Sequence, residues 1–186
     1  MLYMLFNLFD IYMPKILEPL IMGNPLLFKR SEEVRDVFDP EIQENISDML
    51  HTIQSIGERM GLAAPQVAIM KRIVVFRFPK NLVHGRYKSI ADTTNPQEDI
   101  PWTAIINPKI TPLSDQIQTG WEACVSVPGL MAEVERHQSI KYSYLDTNGN
   151  FHEREAHGFH ARLIAGFGAF SEKVVTGFSK ENAAKD

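Results

Sequence analysis

The feature that most constrains the fold is an apolar stripe between residues 39 and 59. Its members recur at spacings of three and four, which places them on one face of an α-helix that must pack against another apolar surface. Pro40 suits the first helical turn, and Gly57 fits a helix stop. The stripe consists of Ile42, Ile46, Met49, Leu50, Ile53 and Ile56.

Most of the chain after this helix has strand character. Segments rich in β-branched and aromatic residues predict strands at residues 72–78, 104–110, 139–145 and 151–155. Residues 146–150 contain Asn-Gly and predict the turn between the last two strands. The polar stretch 84–101 predicts a surface loop, and residues 158–169 predict a late helix. Strands followed by a late helix predict an α+β domain.

Composition narrows the functional classes. The 186 residues are 44% apolar and carry a formal net charge of −4, which suits one compact domain with a sizeable core. No run of Lys and Arg is present, so electrostatic nucleic-acid binding is not expected. Cys124 is the single cysteine, so no internal disulfide can form, and a reducing, cytoplasmic setting is expected.

Residues 1–13 form an apolar N-terminal extension ahead of a single domain predicted for residues 14–186. The extension is shorter than the roughly 20 residues that a membrane-spanning helix needs, so no transmembrane span is expected. It contains Asp10 and has no basic residue before Lys15, which disfavours a secretory signal. Two interpretations stay open: an upstream start codon with Met13 as the functional start, or a docking or membrane-touching segment.

Two short segments contain residues suited to chemistry. Residues 61–67 (GLAAPQV) allow close backbone approach, and Gln66 could donate a hydrogen bond to a developing oxyanion. Residues 122–129 (EACVSVPG) place the thiol of Cys124 where a strand leads to a Pro-Gly turn. On local features alone, a tight connection and a buried packing cysteine are the favoured interpretations, because no His or Lys adjoins Cys124.

Together these segments resemble the first two signature motifs of the peptide deformylase family. The family pattern Gly-apolar-Gly-Leu-Ala-Ala-Pro-Gln corresponds to residues 59–66, and Glu-Gly-Cys-Leu-Ser corresponds to residues 122–126. Three further stretches match in the same order, at residues 22–26 (MGNPL), 106–108 (INP) and 158–164 (GFHARLI). The chain is identified as a member of this family over residues 14–164.

The resemblance implies a fold, a reaction and a set of site residues. The fold is α+β, with antiparallel sheets around a late central helix. The reaction is metal-dependent removal of the formyl group from the N-terminal formylmethionine of new proteins, with iron or zinc. In the family, the motif-two cysteine, here Cys124, shares the metal with two histidines of a helical Gln-His-Glu-x-x-His motif whose glutamate is the general base. Gln66 and the backbone N–H of Val125 would stabilise the oxyanion.

The third motif is missing where the resemblance predicts it. Aligned without a gap after Ile164, the two histidines fall on Gly166 and Phe170, and the glutamate falls on Phe167. The abrupt end of the match fits either natural loss or a frameshift after residue 164. Three smaller departures, each at a family glycine, are Arg59, Ala68 and Ala123.

These losses predict a homologue with impaired or absent activity. A catalytic zinc usually needs three protein ligands, and only Cys124 is recognisable. Loss of the general base alone removes a contribution of roughly 10²–10⁴-fold in rate. We therefore expect no bound cofactor. Cys124 is then a vestigial metal ligand, and Gln66 with Val125 a vestigial oxyanion hole.

Three functions stay open at this point. The first is an inactive protein that binds a peptide N-terminus, such as a formyl-Met peptide, or another partner in the old cleft. The second is an active hydrolase whose non-standard metal site combines Cys124 with a ligand such as His157. The third is a structural remnant. His160 precedes Gly166 by six residues and points to a different helix face, and His137 is expected on the surface, so neither is expected to substitute.

Overall fold

The structure, a computed structural model, describes residues 12–79 and 99–171, with the backbone alone at residues 169–171. Short 3₁₀ turns cover Pro25–Phe28 and Ala64–Val67. The helices and strands in these ranges are, in chain order, α1 (Pro40–Ser55), β1 (Gly61–Ala63), β2 (Ile73–Phe78), β3 (Ile100–Pro112), β4 (Ile117–Ala123), β5 (Met131–His137), β6 (Ser139–Leu145), β7 (Phe151–His157) and α2 (Gly158–Ser171).

A five-stranded antiparallel sheet forms the centre of the fold, with the strand order β1-β2-β3-β6-β7. Strands β4 and β5 form a separate two-stranded antiparallel sheet. Helix α2 packs against strands of both sheets. The predicted α+β class, with antiparallel sheets around a late helix, is confirmed.

Strand β2 is buried on both faces and separates two apolar cores. Val74, Phe76 and Phe78 belong to the core that includes residues of α2. Ile73 and Val75 belong to the core built on α1. Because successive strand residues point to opposite faces, one apolar run serves both cores. Full burial of such a side chain stabilises the fold by roughly 1.5–3 kcal/mol, so this strand is a major source of stability.

Helix α1 begins where the sequence predicts. The side chain of Asp39 accepts a hydrogen bond from the backbone N–H of Glu41 at 2.9 Å, and Pro40 occupies the first turn. The helix ends at Ser55, before the predicted residue 59, because Gly57 adopts a φ of 87°, a left-handed conformation typical of helix ends. The stripe residues that are buried on this helix are Ile42, Ile46, Met49 and Ile53.

The four predicted strands are present, some with different bounds. Strand β3 continues through Pro108 because Asn107, at a φ of 52°, lies in an irregularity of the sheet. The Asn107 side chain accepts a hydrogen bond from the backbone N–H of Val34 at 2.9 Å and donates one to its carbonyl at 2.8 Å. Strands β1 and β5 were not predicted, and β4 was expected only as a strand that leads to the Pro-Gly turn. The predicted loop at residues 84–101 lies outside the described residues except at its end, where β3 begins at Ile100.

The segment that precedes α1 lies along that helix from Tyr12 onward. The backbone N–H of Lys15 donates to Asp48 at 2.6 Å, and that of Leu17 donates to Thr52 at 2.8 Å. A hydrogen bond with the Asp48 carboxylate raises the pKa of Tyr12 to about 12. Residues 1–11 lie outside the described part, so the domain boundary after residue 13 stays a prediction. Within residues 12–79 and 99–171, no helix has the length and apolarity to cross a membrane.

The turn between β6 and β7 makes a pH-dependent contribution to stability. Asp146 accepts hydrogen bonds from the backbone N–H groups of Asn148 and Asn150, and lies 2.8 Å from Nε2 of His152. The hydrogen bond with His152 is the largest cause that holds the pKa of Asp146 well below its usual 3.8. A lowered folded-state pKa contributes stability above the unfolded pKa, and this contribution is lost as the pH falls towards the folded pKa.

Replacing Asp146 by Asn should therefore lower the free energy of unfolding at pH 7. The deficit should shrink as the pH falls below 3.8, because the carboxylate of the unfolded wild-type chain then becomes protonated while that of the folded protein stays ionised. Urea unfolding at several pH values from 7 down to about 2 measures this difference. Asp36→Asn is the matched control, since Asp36 also bonds a backbone N–H in a turn. Parallel pH profiles for wild type and Asp146→Asn would contradict the assignment.

Candidate functional site

Gln66 is fixed by the 3₁₀ turn that follows β1. Its side chain is 3% exposed, and its Oε1 accepts a hydrogen bond from the backbone N–H of Ala63 at 2.8 Å. That bond sets the orientation of the amide, so Nε2 is left to donate elsewhere. Nε2 donates to Sγ of Cys124 at 3.1 Å. The first two sequence motifs therefore meet side chain to side chain, although 58 residues separate them.

Cys124 follows the last residue of β4 and is a free, half-buried thiol. The backbone N–H of Val127 donates to its carbonyl at 3.1 Å, which closes the turn after the strand. The half-buried side chain of Val125 packs against the core built on α1. The structure thus brings Cys124 to Gln66 and places Val125 in the adjoining turn. The oxyanion role of Gln66 and Val125 stays a prediction.

A backbone segment near the N-terminus connects both motifs. The N–H of Leu20 donates to the carbonyl of Gln66, and the N–H of Met22 donates to the carbonyl of Ser126, each at 2.7 Å. The two acceptors lie on the turn that carries Gln66 and on the turn that carries Cys124. This segment therefore joins the two turns through backbone hydrogen bonds.

The helix positions that the resemblance assigns to ligands and base lie on α2. A Cβ added at Gly166 would have Oε2 of Glu122 as its nearest neighbour, at 3.7 Å, so this position faces the strand that ends beside Cys124. The ring of Phe167 lies against Gly61, where an added Cβ would come within 2.3 Å of Cζ. Phe170 is in the helix, and its side chain lies outside the described part.

Five of the six histidines lie in the described ranges, and their positions test whether a metal would fit. His157 Nδ1 is 2.9 Å from the hydroxyl of Ser139, and His137 Nδ1 is 3.0 Å from the carbonyl of Ser114. His160 is 0% exposed and lies among aromatic rings in the core. The other two are His51, on the surface of α1, and His152, beside Asp146. His84 lies outside the described residues.

The donor set around Cys124 does not fit the metal site of the resemblance. Among residues 12–79 and 99–171, no three His, Cys, Asp or Glu side chains are grouped so that they could hold a metal ion. The neighbour of the sulfur is instead a neutral amide, which donates to it and does not serve as a soft ligand. His157, the residue considered for a non-standard site, contacts Ser139 on β6.

Glu122, the first residue of the second motif, has a role that the sequence did not indicate. Both of its carboxylate oxygens accept hydrogen bonds from Arg136 of β5, at 3.0 and 2.9 Å. Its Oε1 also accepts one from Arg162 of α2 at 3.0 Å. The only sequence signal was a charged residue inside the otherwise apolar run 161–165. This network joins the hairpin of β4 and β5, which ends beside Cys124, to helix α2.

Comparison with known proteins agrees with these motifs. The family model for polypeptide deformylases matches residues 16–165. Peptide deformylase 1 of Bordetella pertussis is 40% identical over 143 residues, which cover 77% of this chain and 75% of that protein. Peptide deformylase 1 of Xanthomonas campestris is 37% identical over 149 residues, covering 80% and 81% respectively. The crystal structure of peptide deformylase from Ehrlichia chaffeensis has a TM-score of 0.73 at 32% identity and covers 87% of this chain and 86% of that one.

The contact between Gly61 and Phe167 can be tested by a double-mutant cycle. Gly61→Ala should destabilise the fold by roughly 1–3 kcal/mol, because the new Cβ overpacks against the ring and against the carbonyl of Val75 at 2.8 Å. In a Phe167→Ala background the same change should cost less. Urea unfolding measures all four proteins. Strictly additive effects would contradict the contact.

Gly166→Ala is the matched control on the same helix. Its nearest atom is 3.7 Å away, which is ordinary van der Waals contact. Alanine is favoured over glycine inside a helix by roughly 0.5–1 kcal/mol. This variant should therefore be more stable than wild type, with a sign opposite to that of Gly61→Ala.

Proposed function

Because the chain belongs to the peptide deformylase family, we propose that it is a member with impaired or absent deformylase activity that still binds formyl-Met peptide N-termini. The family acts on the formylated N-termini of nascent proteins. The observation that carries the proposal is the residue set on α2: Gly166, Phe167 and Phe170 stand where the family's two histidines and glutamate are expected. The cytoplasmic setting of nascent chains belongs to the same proposal.

The described residues of the first two motifs are suited to binding, and no group of three metal-binding side chains that could activate water lies among the described residues. The Gln66 amide is buried, is oriented by its bond to Ala63, and lies beside Cys124. A buried amide of this kind could donate its hydrogen bond to the carbonyl oxygen of a formyl group in place of the sulfur. Residue 167 is phenylalanine, so it has no carboxylate that could act as a base. Its ring packs against Gly61.

An active hydrolase with a non-standard metal site is the alternative. Such a site would need two donors besides Cys124. No three such donors are grouped within the described ranges, so the missing donors would have to include residues from outside them, such as His84 or acidic residues. A purely structural remnant is the third interpretation, and it predicts no affinity for formyl-Met peptides.

Hydrolysis of a formyl-Met tripeptide, with Fe²⁺ or Zn²⁺ supplied and air excluded, tests the activity. Turnover should lie more than about 10²-fold below that of the Bordetella pertussis relative, since base catalysis alone contributes this much. Turnover within about tenfold of the relative, together with its loss in Cys124→Ser, would establish the alternative.

Calorimetric titration with the same tripeptide tests binding. We expect saturable binding that weakens in Gln66→Ala, because that change removes the oriented amide donor. Actinonin is a useful second probe, since the Ehrlichia chaffeensis relative has been solved in complex with it. If neither compound binds, the peptide-binding proposal is wrong and the structural remnant remains.

A further inference from the structure

Arg162 of α2 bonds several groups of the Cys124 hairpin, that is, of strands β4 and β5 with their turn. Its side chain is only 4% exposed. Nη2 donates to the carbonyl of Gln118 at 2.6 Å. Nη1 lies within hydrogen-bonding distance of the carbonyls of Val134 at 2.8 Å and Gly120 at 3.3 Å, and of Glu122 Oε1 at 3.0 Å. All four acceptors belong to the hairpin.

The strand pattern explains why one guanidinium reaches so many groups. Alternate residues of a strand face the same side, and the less exposed positions of β4 are Gln118, Gly120 and Glu122. Cys124 is next in this alternation. Gly120 has no side chain, which lets the guanidinium lie against the strand: an added Cβ would be 3.1–3.3 Å from Cζ, Nε and Nη2 of Arg162.

In this network two guanidinium groups share one carboxylate, and this makes Arg162 costly to replace. The Glu122 carboxylate is shared with Arg136, which binds it through Nε and Nη2. A buried cation is stable only when its N–H groups are satisfied, and the backbone carbonyls supply the acceptors that Glu122 does not. Lysine could not reproduce these bonds, because its ammonium is a point charge without the planar fork.

The hairpin depends on such ties because it pairs with no strand of the five-stranded sheet within the described ranges. A two-stranded sheet alone is marginally stable in water. Near its open end, Gln118 donates to the carbonyl of Gly158 at 3.1 Å. Near the Cys124 turn, Met22 donates to the carbonyl of Ser126, and Gln66 donates to the sulfur of Cys124. Arg162 bonds the part of the hairpin that lies between these two ends.

We propose that Arg162 is a positioning residue that fixes the hairpin on α2 and thereby keeps Cys124 against Gln66. In the family that the chain resembles, a metal ion would link the same cysteine to the same helix. Here the link between the two elements is made by the guanidinium and its four acceptors. The role does not rest on the proposed function, because it holds whether or not the site binds or hydrolyses a peptide.

Thiol labelling of the native protein tests this role, and the single cysteine makes the signal specific. The rate of reaction of Cys124 with an aromatic disulfide should rise at least about tenfold in Arg162→Lys, because the hairpin opens locally more often. The rate should approach that of Gln66→Ala, in which the partner of the thiol is removed. An unchanged rate in Arg162→Lys would overturn the proposal.

Arg72→Lys is the matched control for a general loss of stability. Arg72 is another buried arginine, 7% exposed, which bonds the carbonyl of Ser31 and the carboxylate of Glu33, away from the hairpin. Its replacement should destabilise the fold but leave the labelling rate within about twofold. Equal acceleration in Arg72→Lys and Arg162→Lys would show that Arg162 acts only through global stability, and would overturn the proposal.

Gly120→Ala keeps the test decisive if Arg162→Lys does not fold. The added Cβ displaces the guanidinium by a few tenths of an ångström and leaves the charge of every side chain unchanged. Labelling of Cys124 should accelerate in this variant in the same direction as in Gln66→Ala. A wild-type labelling rate in folded Gly120→Ala would show that the position of the guanidinium does not control the thiol.

Discussion

The hydrogen bond from Gln66 Nε2 to Cys124 Sγ is the interaction on which the interpretation of this molecule depends. It joins the turn after β1 to the turn after β4, and neither turn would define a site without the other. The amide can make this bond because its oxygen is already bound to the backbone of Ala63. The backbone bonds from Leu20 and Met22 hold the same two turns from the outside. Side-chain and backbone hydrogen bonds therefore both join the two turns.

The layers of the fold account for the rigidity of this pair. Strand β2 is buried on both faces, so the turn that carries Gln66 rests on a sheet packed between α1 and α2. Helix α2 then meets the site at two places. Phe167 fills the space beside Gly61, and Arg162 bonds the hairpin that ends at Cys124. The family resemblance predicts metal ligands on this helix. In this protein the helix supplies the ring of Phe167 and the guanidinium of Arg162.

The sequence predicts the parts of the fold whose signals are local. The stripe of α1 has a helical period, and the Asn-Gly turn sets the β6–β7 hairpin, so both are recovered. Strand β5 was missed because the inward residues of its hairpin are not all apolar. Arg136 on β5 and Glu122 on β4 are half-buried and bond to each other. The passage of β3 through Pro108 depends on the bonds between Asn107 and Val34, which are distant in sequence.

The candidate site was predictable in its membership but not in its contacts. Motif patterns pointed to Gln66 and Cys124, and the ungapped alignment predicts that Gly166 and Phe170 stand at the histidine positions. The bond between the two side chains depends on tertiary packing, which no local pattern encodes. The family glycine at residue 68 has a physical reason that only the backbone shows: Ala68 ends the 3₁₀ turn at a φ of 65°, a conformation that favours glycine.

Titration of the metal-free protein with Co²⁺ under reducing, anaerobic conditions tests whether Cys124 still belongs to a metal site. A cysteine thiolate bound to Co²⁺ gives a charge-transfer absorption band, so the sulfur of Cys124 reports its own ligation. The account predicts no saturable band up to millimolar Co²⁺, because two ligands are missing beside the sulfur. A band that saturates at one Co²⁺ per chain and is absent in Cys124→Ser would contradict it and restore a metal-dependent function.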